Sequence, residues 1–590
     1  MRLLRLSLLL IATDQALAST TRSCRCQPDE PCWPSEAQWA SLNSSIDGNL
    51  RSVKPLGYAC HAPNYNATEC MLIRSNMHNS TYRSSQLGAV QHENWGAWPS
   101  KGEQCYIETP TSEPCAQGRI SLYSAIVETA SHIRTVVRFA AKFNIKLVIK
   151  NTGHDFLGRS SAPNSLQLFT HNMKNITVAP NFTPTVPDGV TSPRGVKAVT
   201  IAPGVQLHEM YKYLGARNLM IVAGSANTVG FAGGYVQGGG HSLLGWLHGM
   251  ASDNVLEFQV VLADGSLVYA NAYQNTDLFF ALRGGGGGTF GVVVSVTTRA
   301  HPDYPVTMAR LNYTRPVGDG RFWDGVEAMH RHVLGLNDVG GTGFYYVTPR
   351  SEMSTGQYES VCKLDMMFVN QTDIAATKRL FSHILADIQT ATGTVPSFEV
   401  SAFSSLSSWQ SAYFTGNDTT GKLVQLGSRL VSRDFFLEED GPAKVTKAIS
   451  KLRSHPGDYT QGIIMAGGQV ARNKHIVSGL NPGWRDALVH LLFVRRWNTS
   501  TTAKEQAELS MSITNHELPI LNDLEQGRMG AYMNEADANE PNFQKSFWGH
   551  NYERLYAVKQ HSDPDGLFIV RKGVGSEDWD DDGICRIWPA

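Results

Sequence analysis

The chain has 590 residues, 42% of them hydrophobic and 17% charged, so it can bury sizeable cores and wholesale disorder is excluded. Lysine and arginine (51) nearly balance aspartate and glutamate (52) with no block of like charge, which removes the simplest electrostatic case for nucleic acid or an acidic membrane surface as partner. At roughly 150 residues per domain the length suggests about four units, but large mixed folds break that prior, and two or three lobes are expected.

The N-terminus has a basic start at Arg2 and Arg5, an apolar run from Leu6 to Ala12 and a small-x-small site at Ala16-Leu17-Ala18. That pattern predicts a leader over residues 1–18, with a buried helix as the alternative. The run is shorter than the roughly 20 residues a bilayer span needs, and no later segment is long and apolar enough. Nine Asn-x-Ser/Thr sequons stand at Asn43, Asn66, Asn79, Asn175, Asn181, Asn312, Asn370, Asn417 and Asn498, which favours the glycosylating pathway and N-linked glycans. Seven of nine cysteines (Cys24, Cys26, Cys32, Cys60, Cys70, Cys105, Cys115) lie in residues 19–115. In an oxidising compartment they predict a disulfide-stapled segment, and the isolated Cys362 is the candidate free thiol. A zinc site competes for Cys24, Cys26 and Cys32, yet no second ligand pair stands at finger spacing. The location expected is the secretory pathway, extracellular or vacuolar.

Further along, Ile126, Ala130, Ile133, Val137 and Ala140 recur at helical spacing. Residues 145–149 form an apolar run suited to a buried strand, ending in the turn-like Asn151-Thr152-Gly153-His154-Asp155. Residues 180–193 are rich in Pro and Thr and predict a surface loop. Residues 196–201 then suggest a strand and 206–214 a helix. Residues 224–240 carry too much glycine for a regular helix. Strand, tight turn and strand are expected over residues 255–262, Asp264-Gly265 and residues 266–269. A glycine run at 284–288 precedes a strand at 292–296. Past Pro302 the glycine clusters thin out, which places a second domain over 303–525. A last segment, 526–590, bears a helical stripe at Tyr552, Leu555 and Tyr556 and a turn at Asp563-Pro564-Asp565-Gly566.

Gly286-x-Gly288-x-x-Gly291 matches the dinucleotide-binding expression, which requires a helix to follow so that phosphate meets its N-terminus. Here a strand follows, and no Gly-Lys-Ser/Thr completes a P-loop. What remains is glycine-rich backbone between strands, able to approach an anionic ligand closely or simply to make tight turns.

Lys150-Asn151-Thr152-Gly153-His154-Asp155 with Gly158-Arg159-Ser160, Val222-Ala223-Gly224 with Thr228-Val229-Gly230, and Gly238-Gly239-Gly240-His241-Ser242 resemble the FAD domain of the vanillyl-alcohol-oxidase superfamily. Asn551-Tyr552-Glu553-Arg554-Leu555 with Lys559 and Asp563-Pro564-Asp565-Gly566 resemble the tail of its berberine-bridge-enzyme-like branch. The Cys-x-Cys start and Cys32-Trp33-Pro34 resemble secreted fungal FAD-linked oxidoreductases and isoamyl alcohol oxidases. The resemblance implies an α+β architecture, with a two-lobed FAD domain over 116–302, an α+β substrate domain over 303–525, and a tail over 526–590 that returns to the FAD domain.

It further implies FAD bonded through its 8α carbon to the imidazole of His154, on a loop where Gly153 leaves room. Ala226 stands where some relatives carry a second, cysteinyl link, so a single tether is expected. Asn151, Thr152, Gly153 and Asp155 would line the pyrophosphate, and Gly158, Arg159, Ser160, Gly224, Thr228, Val229, Gly240 and Ser242 belong to the same cofactor motifs. Gly230, Gly233 and Gly234 would let backbone approach the flavin, while Gly291, Val292 and Asn551 would touch it from strand and tail. Relatives carry Tyr-x-Asn-Tyr near the tail; here Tyr532-Met533-Asn534-Glu535 puts a carboxylate in the last place. Glu535 is a general base if burial raises its pKa, or else an exposed loop residue. Tyr532 and His241 are further catalytic candidates, each with a structural alternative. The implied activity is hydride transfer from a small alcohol or secondary-metabolite intermediate to FAD, with O2 as acceptor giving H2O2. A carbohydrate oxidase, or a glycoprotein whose redox site has decayed, are the alternatives.

Overall fold

The computed structural model describes residues 24–413 and 418–587; the leader expected at 1–18 and the sequon at Asn417 lie outside them. A first, four-stranded sheet runs in the order Leu50–Ser52, Tyr123–Ile126, Ser165–Phe169, Lys146–Lys150. The last three strands are parallel, which demands a crossover. The helix Ala130–Lys142 supplies it, starting where the Thr129 hydroxyl accepts from the His132 N–H at 3.2 Å. It buries Ile133, Val136, Val137 and Ala140 against the sheet. Ile126, expected on the helical face, closes the preceding strand instead, because the Thr129 cap sets the helix start downstream of it. Asn144, at φ 48°, takes the left-handed turn that asparagine tolerates and feeds the strand Lys146–Lys150.

A second sheet is antiparallel in the order Ile176–Phe182, Val196–Ile201, Val292–Arg299, Val255–Val261, Leu267–Asn271. The Asp264-Gly265 turn joins its last two strands as expected. The strand Ile176–Phe182 takes the first three residues of the expected loop, and 183–195 form the loop itself.

The third sheet has seven antiparallel strands in the order Ser397–Phe403, Val306–Pro316, Tyr358–Val369, Gly341–Glu352, Tyr459–Ile464, Ala487–Trp497, Leu423–Ser432. Alternate residues along each strand point to opposite faces, so the sheet feeds two cores. Leu311, Leu364 and Leu491 pack under the helices Arg321–Asp338, Ser382–Thr392 and Gly441–Ser450. Met308, Met367 and Leu492 turn the other way, into a core shared with the second sheet and the tail.

The tail is locked to this framework by the helix Tyr552–Ser562, on which Leu555 is buried and Tyr552 and Tyr556 half-buried. Arg429 of the third sheet meets Glu540 through two 2.9 Å bonds, both side chains buried. Four disulfides form: Cys26–Cys32, Cys60–Cys70, Cys105–Cys115, and Cys24–Cys585, which ties the two ends of the fold together. Cys24 therefore reaches beyond the N-terminal segment in which its pairing was expected, and the Cys26–Cys32 bond removes the thiolates a zinc site would need. Cys362 is free and buried. Among the described residues no helix is long and apolar enough to cross a membrane.

Candidate functional site

A cleft between the first two sheets and the tail encloses about 1320 Å³ of space between atoms, its open mouth included. One wall is the loop after Lys146–Lys150. Gly153 sits there at φ +78°, a conformation that favours glycine, and a Cβ on it would press the Lys150 Cε and the Val90 Cα at 3.4 Å. Opposite, a Cβ on Gly230 would overlap the side-chain amide of Asn151, so the two loops approach as closely as they do only because position 230 is bare.

His154 lines this cleft, its side chain 15% exposed. Its Nε2 lies 2.7 Å from the Thr228 hydroxyl and 3.6 Å from Asp418 Oδ2. Burial lowers the imidazole pKa below its ordinary value, with Asp418 pulling the other way. Asn151, Thr152, Gly153, Asp155, Arg159 and Ser160 line the same cleft, as do Gly224, Val229, Gly230, Gly233, Gly234 and Gly291. Arg159 binds Asp155 from Nε at 2.8 Å and Nη2 at 2.6 Å, so the acidic side chain carries its own counter-ion.

Other motif residues stand behind the wall. Gly158, at φ +77°, would drive a Cβ into the Trp95 ring and so shapes the loop, while Thr228 holds His154. Gly240 packs on Tyr235 and Ala251, and the Ser242 hydroxyl donates to the Ala223 carbonyl at 2.6 Å. Two positions expected at the cofactor are elsewhere. Val292 turns into the core beside the first sheet while Val293 lines the cleft, the consequence of a two-residue strand period. Asn551 donates to the carbonyls of Ser478 and Leu480 at 3.2 and 2.7 Å, pinning the tail rather than reaching the cleft.

The catalytic candidates Glu535, Tyr532 and His241 line the cleft together. The Glu535 carboxylate is shared by two imidazoles, His490 Nε2 at 2.9 Å and His241 Nε2 at 3.3 Å. Burial alone would raise the Glu535 pKa, but the two histidines outweigh it and hold the carboxyl well below its ordinary range. The expectation that burial would raise it is thus reversed. His490 is fully buried, and burial lowers its imidazole pKa. The Tyr532 ring stands edge-on to His241 at 5.3 Å, its phenol pushed above its ordinary value by burial and by Glu535. Asn534 ties this cluster to the flanking loops, donating to the Tyr532 hydroxyl at 2.8 Å and to the Gly234 carbonyl at 3.0 Å, and accepting from Arg159 at 3.2 Å.

A model of an FAD binding domain matches residues 122–271, which build the glycine-walled side, and a "berberine and berberine like" model matches 531–575, which carry Tyr532 and Glu535. A relative from Arthroderma benhamiae, called an uncharacterized FAD-linked oxidoreductase, is 48% identical over 95% of this chain and 96% of its own. The chain belongs to the FAD-linked oxidoreductases. Another FAD-linked oxidoreductase, from Malbranchea aurantiaca, is 40% identical over 98% of this chain and 96% of its own. A VAO-type flavoprotein from Myceliophthora thermophila has a solved structure that aligns with TM-score 0.83 and 31% identity, covering 96% of this chain and all of that one.

The cleft of this FAD-linked oxidoreductase fits the cofactor its family implies. Asn151 Oδ1, Arg159 Nη1 and Gln237 Oε1 are buried without hydrogen-bond partners in residues that line it, and a ligand rich in donors and acceptors supplies what they lack. Gly230, Gly233 and Gly234 present side-chain-free backbone to the cleft, which lets a ligand approach closely. Sequence reasoning missed three contributors. Asp418 and His490 arrive from distant strands and loops, and Met465, whose sulfur lies 3.1 Å from His241 Nδ1, comes from beside the strand Tyr459–Ile464. None carries a local motif.

Proposed function

We propose that the protein is a secreted oxidase whose FAD is bonded to His154, with residues 116–302 and 526–590 holding the flavin and 303–525 closing over the substrate. The observation that carries this reading is that His154 and Glu535 line one cleft, the first on the glycine-walled side and the second at the mouth of a buried histidine pair. FAD, when bound, supplies the acceptor for a hydride from a small alcohol or secondary-metabolite intermediate, and dioxygen is the acceptor that then yields hydrogen peroxide.

The chain's own residues handle the proton. Glu535, kept ionised by its imidazole partners, faces the cleft and acts as the base toward the substrate hydroxyl through its charge and position, a weak base because its pKa is held low. His241 and His490 orient it, as both can donate Nε2–H to its oxygens. Tyr532, kept protonated, packs edge-on against His241 and lines the same cleft. Ala226 lines the cleft where a cysteinyl link would stand, which supports a single tether. The leader-like start, the sequons and four disulfides support passage through the secretory pathway.

Anaerobic mixing with a panel of primary and benzylic alcohols tests the activity. Bleaching of the flavin by at least one of them, followed by peroxide on admitting air, is the expected result. A flavin that no alcohol or sugar reduces would overturn it.

A further inference from the structure

We propose that Asp418 and Thr228 form a relay that positions His154 for its attachment to the flavin, an inference that rests on the covalent reading above. Asp418 comes from the stretch between the helix Leu406–Tyr413 and the strand Leu423–Ser432, far in sequence from the loop it serves. Its own N–H donates to Ser80 Oγ at 3.0 Å, and its side chain is 13% exposed. Oδ1 accepts from the Asn227 N–H and Oδ2 from the Thr228 N–H, both at 2.7 Å. Oδ2 also accepts from the Thr228 hydroxyl.

That last bond fixes the imidazole. A threonine hydroxyl has one hydrogen, and here it points at Asp418, so toward His154 Nε2 the oxygen can only accept. The ring proton therefore resides on Nε2, and Nδ1 keeps its lone pair. Burial favours the neutral ring, as nucleophilic attachment requires. At 3.6 Å the carboxylate is too far to bond Nε2 itself but near enough to stabilise positive charge there as the new bond forms.

The step balances as follows. A bond forms between Nδ1 and the carbon of the flavin 8α methyl group, and one methyl C–H bond breaks. That hydrogen leaves as a proton, and the Nε2 proton leaves along Thr228 toward Asp418. The electron pair of the broken bond stays in the ring system until dioxygen takes two electrons and the two protons as hydrogen peroxide. Asp418 is thus a positioning residue for the tether, with no contact to substrate.

The test uses full-length apoprotein, produced under riboflavin depletion and then given FAD, with flavin that survives acid precipitation followed over time. Asp418→Asn and Thr228→Val are expected to slow attachment at least about tenfold, equivalent to ~1.4 kcal/mol in the barrier, while gel filtration shows FAD still bound. Asp418→Glu is expected to recover most of the rate, which loss of a loop contact alone would not allow. Thr228→Val leaves the backbone bonds to Asp418 in place and decides the matter if Asp418→Asn fails to fold. Wild-type attachment rates in both variants would overturn the relay and leave the tether standing. A wild-type protein whose FAD all dissociates in acid would overturn the tether and the relay together.

Discussion

Replacing Glu535 by glutamine keeps its volume and removes the charge that two buried imidazoles share. In the wild type both Nε2 atoms approach the carboxylate, at 2.9 Å from His490 and 3.3 Å from His241. An amide offers one acceptor and a donor, so one histidine would face N–H against N–H and have to change tautomer. His490 Nδ1 is buried without a partner, which leaves that switch with no compensating bond. General-base catalysis contributes about 10²- to 10⁴-fold, and because the low pKa of Glu535 makes it a weak base, Glu535→Gln should lose about the lower end of that range, ~10²-fold or ~2.7 kcal/mol of barrier, from the rate of anaerobic flavin reduction. Flavin content should be unchanged, because Glu535 bonds His241 and His490 while His154 bonds Thr228. The same substitution has a pH signature in stability. Because the folded pKa of Glu535 lies below its ordinary 4.5, its contribution is fully present above about pH 4.5 and is lost as pH falls through the folded value. The gap in melting temperature between wild type and variant should therefore narrow as pH falls below that value. Reduction of Glu535→Gln within about twofold of wild type by a substrate that bleaches both would refute the assignment.

Three further outcomes follow from the packing. Arg429→Met leaves Glu540 buried and unpaired and should cost ~3–5 kcal/mol in denaturant unfolding, loosening the tail that carries Glu535. Cys24→Ser with Cys585→Ser frees a loop closed across 561 residues and should lower unfolding stability by ~2–5 kcal/mol, toward the upper end because the loop is long. Gly230→Val should displace Asn151 and yield protein with little bound FAD, measured by absorbance after gel filtration, while its disulfides still form.

The glycine-walled half of the cleft is legible through its motifs' resemblance to the FAD domain, since glycine-rich backbone alone fits tight turns equally well: Gly153 beside His154, then Val229-Gly230 and Gly233-Gly234, all line the cleft. Hydrophobic period marks the helix Ala130–Lys142, and turn composition marks the hairpin at Asp264-Gly265. Period also explains a miss, since residue 292 can be assigned to a strand from sequence while the face it presents depends on the partner strands, and the cleft falls to Val293. Glu535 was visible as a departure from a motif, but its charge state depends on His490, which in sequence sits inside the apolar run at 487–494 and reads as core. Asp418 was invisible for the same reason: its partners are the backbone of a loop 190 residues away. Cys585 could not be matched to Cys24 from spacing, because only the fold brings these two residues together.

The attachment at position 154 is open to a direct test. Protein purified with its full complement of FAD should keep its yellow colour in the acid pellet, and mass spectrometry of a digest should place the flavin on the peptide containing His154, with His154→Ala releasing it. Flavin found entirely in the acid supernatant of the wild type, or on any other residue, would contradict the account.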